Sequence, residues 1–377
     1  MSADMPVPGL FRGPKTLSIM PTYACPAACE HCASMSHPKA RENLTLQTML
    51  SAIDQARALG FYNVVFTGGE ATLRWRDLLL AIRHASGLGF PVRLVSNAHW
   101  AVSAKSADRR LDALLAAGLT EINYSTGDEH ARFVPVERVV EACLAAVRRR
   151  LKAWVMVELR ATRAVTAASV TGHPRIVALG PEDRGLIEIV ESPWMPLDPG
   201  LVEDYPAGVA ADNHNLKSFR VCSNVLQTYT IQADGRVGAC CGIGMRQIPE
   251  LSVAAVDQPD FLSRAVEAAE SDFLKLWLHY LGPERVLAWA AAHDPSIRWE
   301  GMYAHHCQAC ARIYRDEAVR RLVREHYEEM IAEVLQAAWL DEHHVPVESR
   351  RIAESRCAGE RQARAGRLGV AALPGHD

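Results

Sequence analysis

The stretch Cys25-Pro-Ala-Ala-Cys29-Glu-His-Cys32 constrains this chain more than any other, because its C-x3-C-x2-C spacing gathers three sulfurs on one loop. The loop follows the apolar run Leu17-Ser-Ile-Met20, which has the character of a first strand. Cysteine thiolates hold iron–sulfur clusters, and a cubane held by three protein ligands leaves one iron open to a further molecule. The alternative is a zinc site or three unrelated thiols. Zinc usually takes four ligands arranged in pairs such as C-x2-C, which a lone triplet suits poorly.

The compartment follows from what the chain lacks. No apolar run reaches the ~20 residues that a membrane span requires, and the first residues have no charged head or hydrophobic centre of a signal peptide. A cytoplasmic location is expected. Ten cysteines in a reducing compartment then argue for metal or redox use over a disulfide framework. Lys+Arg (41) nearly balance Asp+Glu (44), so the net field gives no reason to expect nucleic acid or an anionic membrane as a partner.

Beyond a short irregular arm, residues 1–16, short β-branched runs alternate with helical periodicity, the pattern of a parallel sheet covered by helices. Strands are expected at 17–20, 63–67, 92–96, 121–125, 153–160 and 186–190. Between them, Leu46, Met49, Leu50 and Ile53 follow a Thr45 N-cap, and Leu111, Leu114 and Leu115 end before Gly118. Strand starts recur roughly every 30 residues, about what a β-crossover-β unit needs, and the longer first interval accommodates the cysteine loop. The expected fold is α/β, a partial (β/α)6 barrel over residues 17–192 whose chemistry collects beyond the carboxyl ends of the strands. A Pro/Gly-rich linker at 193–221 leads to a small C-terminal α+β module at 222–346, in which Asp234-Gly235 marks a hairpin. That module continues with helices near 259–280 and 283–292 and a last amphipathic helix carrying Leu322, Val323, Met330, Val334 and Leu335. The tail, 347–377, is rich in Arg, Ala and Gly and is expected to be disordered.

The second marker is Thr67-Gly68-Gly69-Glu70 at the end of the second strand. Two glycines allow close backbone approach, and the carboxylate supplies charge or an acceptor beside it. Together with C-x3-C-x2-C, this arrangement resembles the radical S-adenosylmethionine (radical SAM) superfamily. The resemblance implies that Cys25, Cys29 and Cys32 hold a [4Fe-4S] cluster and that Gly68, Gly69 and Glu70 contact S-adenosylmethionine. By the same analogy Asn97 and Ser125, on the loops after strands three and four, and Arg160 after strand five become cofactor contacts. Ordinary loop caps are the alternative for each. Asp128 and His130 are an acid–base candidate pair, since His titrates near neutral pH. His31 stands where many members of the superfamily carry an aromatic residue near the adenine. Cys143 shares a helical face with Val139, Val140, Leu144 and Val147 and is expected in the core.

The third marker is C-terminal: Cys222, Cys240 and Cys241, then Cys307-x2-Cys310. It resembles the SPASM/Twitch extensions of radical SAM enzymes in their shortened form with one auxiliary [4Fe-4S] cluster, which implies Cys222, Cys240, Cys307 and Cys310 as ligands. A structural zinc site, with His305 or His306 as mixed ligands, is the alternative. Adjacent residues of a strand face opposite ways, so Cys241 is left as an alternative ligand, a hydrogen-atom donor to a substrate radical, or a spectator.

The resemblance implies reductive cleavage of S-adenosylmethionine to a 5′-deoxyadenosyl radical that takes hydrogen from an unactivated C–H bond. Such extensions are widespread in maturases of ribosomally made peptides, which implies a precursor peptide substrate and crosslinking, epimerisation or oxidation as the outcome. Implied partners are an electron donor such as flavodoxin or ferredoxin and a separate leader-peptide recognition protein. A radical SAM oxidoreductase of a small molecule and a zinc-stabilised binding protein are the competing functions.

Overall fold

The computed structural model describes residues 13–219, 221–242 and 244–344. The tail expected to be disordered, and most of the N-terminal arm, lie outside them. Six strands run in sequence order: β1 (Thr16–Ile19), β2 (Asn63–Phe66), β3 (Val92–Ser96), β4 (Glu121–Thr126), β5 (Ala153–Leu159) and β6 (Ile187–Pro193). Each pairs in parallel with the next. The crossovers carry α1 (Leu46–Ala58), α2 (Trp75–Gly87), α3 (Ala104–Ala117), the single turn α4 (Asp128–Ala131) and α5 (Val136–Val147). Three short helices, α6 (Ala167–Thr171), α7 (Pro174–Val177) and α8 (Pro181–Arg184), bridge β5 to β6.

Local chemistry accounts for these boundaries. Thr45 caps α1 by accepting from the Thr48 amide, and Met49, Ala52, Ile53 and Ala56 form its buried stripe. α3 stops at Gly118, which is left-handed. Cys143 is fully buried on α5, as expected. β3 and β4 alternate strictly between buried and half-buried positions. Val92, Leu94, Ile122 and Tyr124 pack under the helices, and the opposite faces carry polar residues such as Arg93 and Asn123. The strands are therefore not uniformly apolar, as strands covered on both faces would be.

The second part comprises β7 (Thr228–Ile231), β8 (Arg236–Gly238), α9 (Gly244–Gln247), β9 (Ser252–Ala255), α10 (Phe261–Glu270), α11 (Phe273–Tyr280), α12 (Pro283–His293), α13 (His306–Arg315), α14 (Glu317–His326) and α15 (Ile331–His344). The Asp234-Gly235 hairpin is present, with β8 antiparallel to β7 and β9 antiparallel to β8. β7 pairs in parallel with β1, Thr16 opposite Thr228 and Ile19 opposite Ile231. One nine-stranded sheet results, in the order β6-β5-β4-β3-β2-β1-β7-β8-β9.

Two expected helices are broken. The one near 259–280 divides at Asp272, whose side chain accepts from the Lys275 amide and starts α11. The last divides at a single 3-10 turn, Tyr327–Met330, which leaves Leu335 exposed while Leu322, Val323 and Val334 stay buried. The stretch 193–221 is pinned along its length: the Ala211 amide donates to the Tyr303 carbonyl at 2.7 Å, and the Tyr303 hydroxyl donates to the Pro199 carbonyl at 3.1 Å.

One hydrophobic cluster runs from Leu17 to Ala338 through both parts. Burying a side chain such as Ile231 contributes about 1.5–3 kcal/mol, and Ile231 touches the junction itself. Ile231→Ala should therefore cost about 2–5 kcal/mol, and hydrogen exchange should show amides of β2 and β8 losing protection together. Loss confined to β7, β8 and β9 would mean that the two parts unfold separately.

Candidate functional site

Beyond the carboxyl ends of β1 to β4 the loops surround a cavity of about 240 Å³ lined by Cys25, Cys29, Cys32, Gly68, Gly69, Asn97, Ser125, His130 and Cys241, together with Trp194 and Met245. The cysteine loop is held there by backbone. Thr67 donates to Ile19, Gly69 to Thr22 and Glu70 to Ala24, each at 2.9 Å, so the β1–β2 ladder continues past the end of the strands. A Cβ on Gly69 would lie 2.3 Å from the Ala24 carbonyl oxygen, a position only glycine can occupy without the backbone moving. Ser34 adds a hydroxyl bond of 3.1 Å to the Gly68 carbonyl. From the second part, Arg246 donates to the Ser34 carbonyl and lies 3.7 Å over the Tyr23 ring, and the Tyr23 hydroxyl donates to Gln232 at 3.1 Å.

Glu70 is expected beside a ligand but sits behind the cavity wall. It is fully buried and accepts from the Thr72 hydroxyl (2.6 Å), the Ser96 hydroxyl (3.0 Å) and the Asn97 amide (2.9 Å). It therefore fixes the loop after β3, which carries the Asn97 side-chain amide to 3.5 Å from the Cys25 sulfur.

Asp128 and His130 do not pair. Two residues apart on a helical turn, their side chains leave on opposite sides. Asp128 accepts from the Ala164 and Val165 amides at 2.9 and 2.7 Å. His130 Nδ1 instead meets the buried carboxylate of Glu158, which also accepts from the Glu129 and His130 amides at 2.9 and 3.1 Å. Gly127 makes room for it, since a Cβ there would lie 2.4 Å from the Glu158 side chain. Arg160 is not in the cavity wall; it ion-pairs with Glu203 at 3.6 Å and Glu129 at 3.8 Å and lies 5.6 Å from the Trp194 ring. His31, left-handed at φ 59°, accepts from the Leu197 amide at 3.5 Å and is not in the wall either. Glu158, Trp194 and Met245 went unnoticed in the sequence. Only the acidic end of β5 offered a signal, for Glu158.

Burial, and secondarily the charge of Glu70 and Cys32, pushes the Cys25 thiol up to about 12. Burial, then Cys32 and Cys25, does the same to Cys29. Ionised together, thiols clustered in this way would need a positive partner. A single tetrahedral zinc would draw its sulfurs to about 3.8 Å from one another. Among the described residues, potential ligand atoms that approach within 4.8 Å in groups of three or more are those of His293, His326 and Glu329, and neither cysteine set closes that far.

The C-terminal cysteines also come together. Cys222 precedes β7, Cys240 follows β8, and Cys307 and Cys310 lie in the first turns of α13, with His305 and Gln308 forming a capping box. No disulfide joins the described cysteines. Burial raises the Cys310 thiol, and the charges of Cys240, Cys222 and Cys307 raise it further. A Cβ on Gly242 would lie 2.4 Å from the Cys307 sulfur. Burial, and then His306, pulls the His305 ring down to about 4. Cys240 is buried beside this set, whereas the Cys241 thiol donates to Asn224 at 3.3 Å and borders the first cavity.

A mostly parallel α/β sheet with a three-sulfur loop after its first strand defines a class. Residues 19–158, a little over a third of the chain, match the model of the radical SAM superfamily. Among curated proteins it is 39% identical over 106 residues to the PqqA peptide cyclase of Ruegeria pomeroyi, a match covering 28% of this chain and 26% of that one. It is 32% identical over 108 residues to the PqqA peptide cyclase of Xanthomonas campestris pv. campestris, covering 28% and 27%. The matches thus span about a quarter of the length of these relatives. Among solved structures, anSMEcpe with bound AdoMet and Cp18Cys peptide superposes with a TM-score of 0.49 at 11% identity, covering 86% of this chain and 99% of that one.

The backbone stitching makes a direct prediction. Gly69→Ala should cost about 2 kcal/mol or more in denaturant unfolding. Gly87→Ala, where an added Cβ meets nothing within 4 Å, should be neutral or stabilising by up to about 1 kcal/mol.

Proposed function

We propose that this chain is a radical SAM enzyme that modifies a ribosomally made peptide. The observation that carries the chemical part is the single cavity shared by Cys25, Cys29, Cys32, Gly68, Gly69, Asn97 and Cys241. Cys25, Cys29 and Cys32 hold a [4Fe-4S] cluster, with Gly68, Gly69, Asn97 and Ser125 placed around S-adenosylmethionine. When bound, the cluster and its nucleotide supply a 5′-deoxyadenosyl radical that abstracts a hydrogen atom from the substrate. The chain's own residues do the positioning. Glu70 fixes the loop that carries Asn97, and Glu158 holds the His130 ring in the wall beside Trp194, where the two rings lie edge to face at 5.9 Å. His130 therefore replaces the Asp128–His130 pair as the acid–base candidate, with Glu158 orienting it.

Cys222, Cys240, Cys307 and Cys310 hold an auxiliary [4Fe-4S] cluster. The neighbouring Cys241 thiol, which borders the cavity, would donate a hydrogen atom to the substrate radical, and the thiyl left on its sulfur would return to the thiol with an electron from the donor protein and a proton from solvent. The peptide substrate is inferred from the likeness to PqqA peptide cyclases. Flavodoxin or ferredoxin delivers the electron, and a separate protein recognises the leader of the precursor. No helix among the described residues is long and apolar enough to cross a membrane.

Protein purified without air should be brown and carry about eight irons. With a reductant it should form 5′-deoxyadenosine, and a short peptide encoded beside it should change mass or crosslinking. Cys25→Ala should lose about half the iron and all cleavage. Cys241→Ala should retain cleavage and alter the peptide product. A colourless protein that binds zinc would overturn the proposal, and cleavage without any change in the peptide would overturn its substrate.

A further inference from the structure

Away from the sulfur sites, α12 and α14 end side by side, and His293 and His326 are the last residues of the two helices. Helix carboxyl ends favour cations. Glu329, in the 3-10 turn that follows α14, reaches both rings, with Oε2 at 3.1 Å from His293 Nε2 and Oε1 at 3.2 Å from His326 Nδ1. Ligand atoms of these three side chains all lie within 4.8 Å of one another.

His293 is already oriented as a ligand. Its Nδ1 lies 3.1 Å from the Trp289 carbonyl, which can only accept, so that nitrogen carries the hydrogen. In the neutral ring Nε2 is then a bare lone pair facing a carboxylate oxygen, a contact that either a second ring proton or a bound cation makes favourable. Donating one ring nitrogen to a backbone carbonyl while the other turns to an ion is the common arrangement of metal-binding histidines. The ring also rests on Trp289, centroids 4.6 Å apart, and Trp289 packs on the buried Trp277 at 4.9 Å, which limits its freedom before anything binds.

We propose that His293, His326 and Glu329 bind one divalent transition-metal ion of the zinc class, clamping the ends of α12 and α14 together. Two imidazoles and a carboxylate suit zinc, and the partly exposed position leaves a fourth place for water. Glu284 on α12 holds His306 at 2.9 Å at the start of α13, so the clamp stiffens the helices that support Cys307 and Cys310. The proposal does not depend on the reaction proposed above.

The test uses the iron-loaded enzyme without air, with Zn2+ as the probe. Calorimetry should find one equivalent of zinc in the wild type that His293→Ala loses and that Glu329→Gln binds at least tenfold more weakly. Hydrogen exchange should slow at least fivefold at the end of α12 and at residues 327–330 on adding zinc, and not in either variant. Because Glu329→Gln changes only an exposed carboxylate, it keeps the test valid if His293→Ala folds poorly. Equal zinc binding by wild type and Glu329→Gln, or protection appearing only around the cysteines, would overturn the proposal and leave an ordinary surface ion pair.

Discussion

The site depends on a short run of backbone hydrogen bonds. Where β1 and β2 end as strands, their parallel pairing continues through Thr67, Gly69 and Glu70 onto Ile19, Thr22 and Ala24, so the loop bearing the first sulfur is held in register with the sheet. A flexible loop would have to order three cysteines at about 1–2 kcal/mol per residue of backbone entropy on binding a cluster. Here folding has already met that cost for the residues leading into Cys25. The glycines matter because two backbones approach to contact distance, and the buried Glu70 carboxylate extends the same bracing to β3.

Around that frame the chain concentrates groups that are unstable alone. Thiols at Cys25, Cys29, Cys222, Cys240 and Cys310 are driven towards their neutral forms by burial. They fall in two sets, one in the cavity wall beyond β1 and one around the start of α13. The parallel pairing of β7 with β1 puts the second set on the same sheet as the first, and Cys240 and Cys241 divide between them: one thiol joins the buried set and the next borders the reaction cavity. The bend that follows the end of β8 at Gly238, rather than strand alternation, sets these two neighbours apart.

Much of this was legible in the sequence because its signals are local. The strand runs, the Thr45 cap, the Asp234-Gly235 hairpin and the cysteine spacing depend on residues a few positions apart. What was missed is long-range. Nothing local in Thr228–Ile231 says that it pairs with β1 rather than forming a separate sheet. Glu70 looked like a ligand because its burial and its bonds to Ser96 and Asn97 come from another loop. Asp128 and His130 looked like a pair because they are close in sequence, whereas the partner of His130 is Glu158, far along the chain on β5. The breaks at Asp272 and at 327–330 interrupt otherwise continuous apolar periodicities, and periodicity alone does not show where a helix turns.

The central claim is that the loop of Cys25, Cys29 and Cys32 carries a cluster with one iron open to S-adenosylmethionine. It is tested most directly by electron paramagnetic resonance on reduced, anaerobic Cys222→Ala/Cys310→Ala protein, in which only that cluster remains. The account predicts a reduced-cluster signal whose g-values shift when S-adenosylmethionine is added. A signal that ignores S-adenosylmethionine, or no iron signal at all from a folded protein, would contradict it.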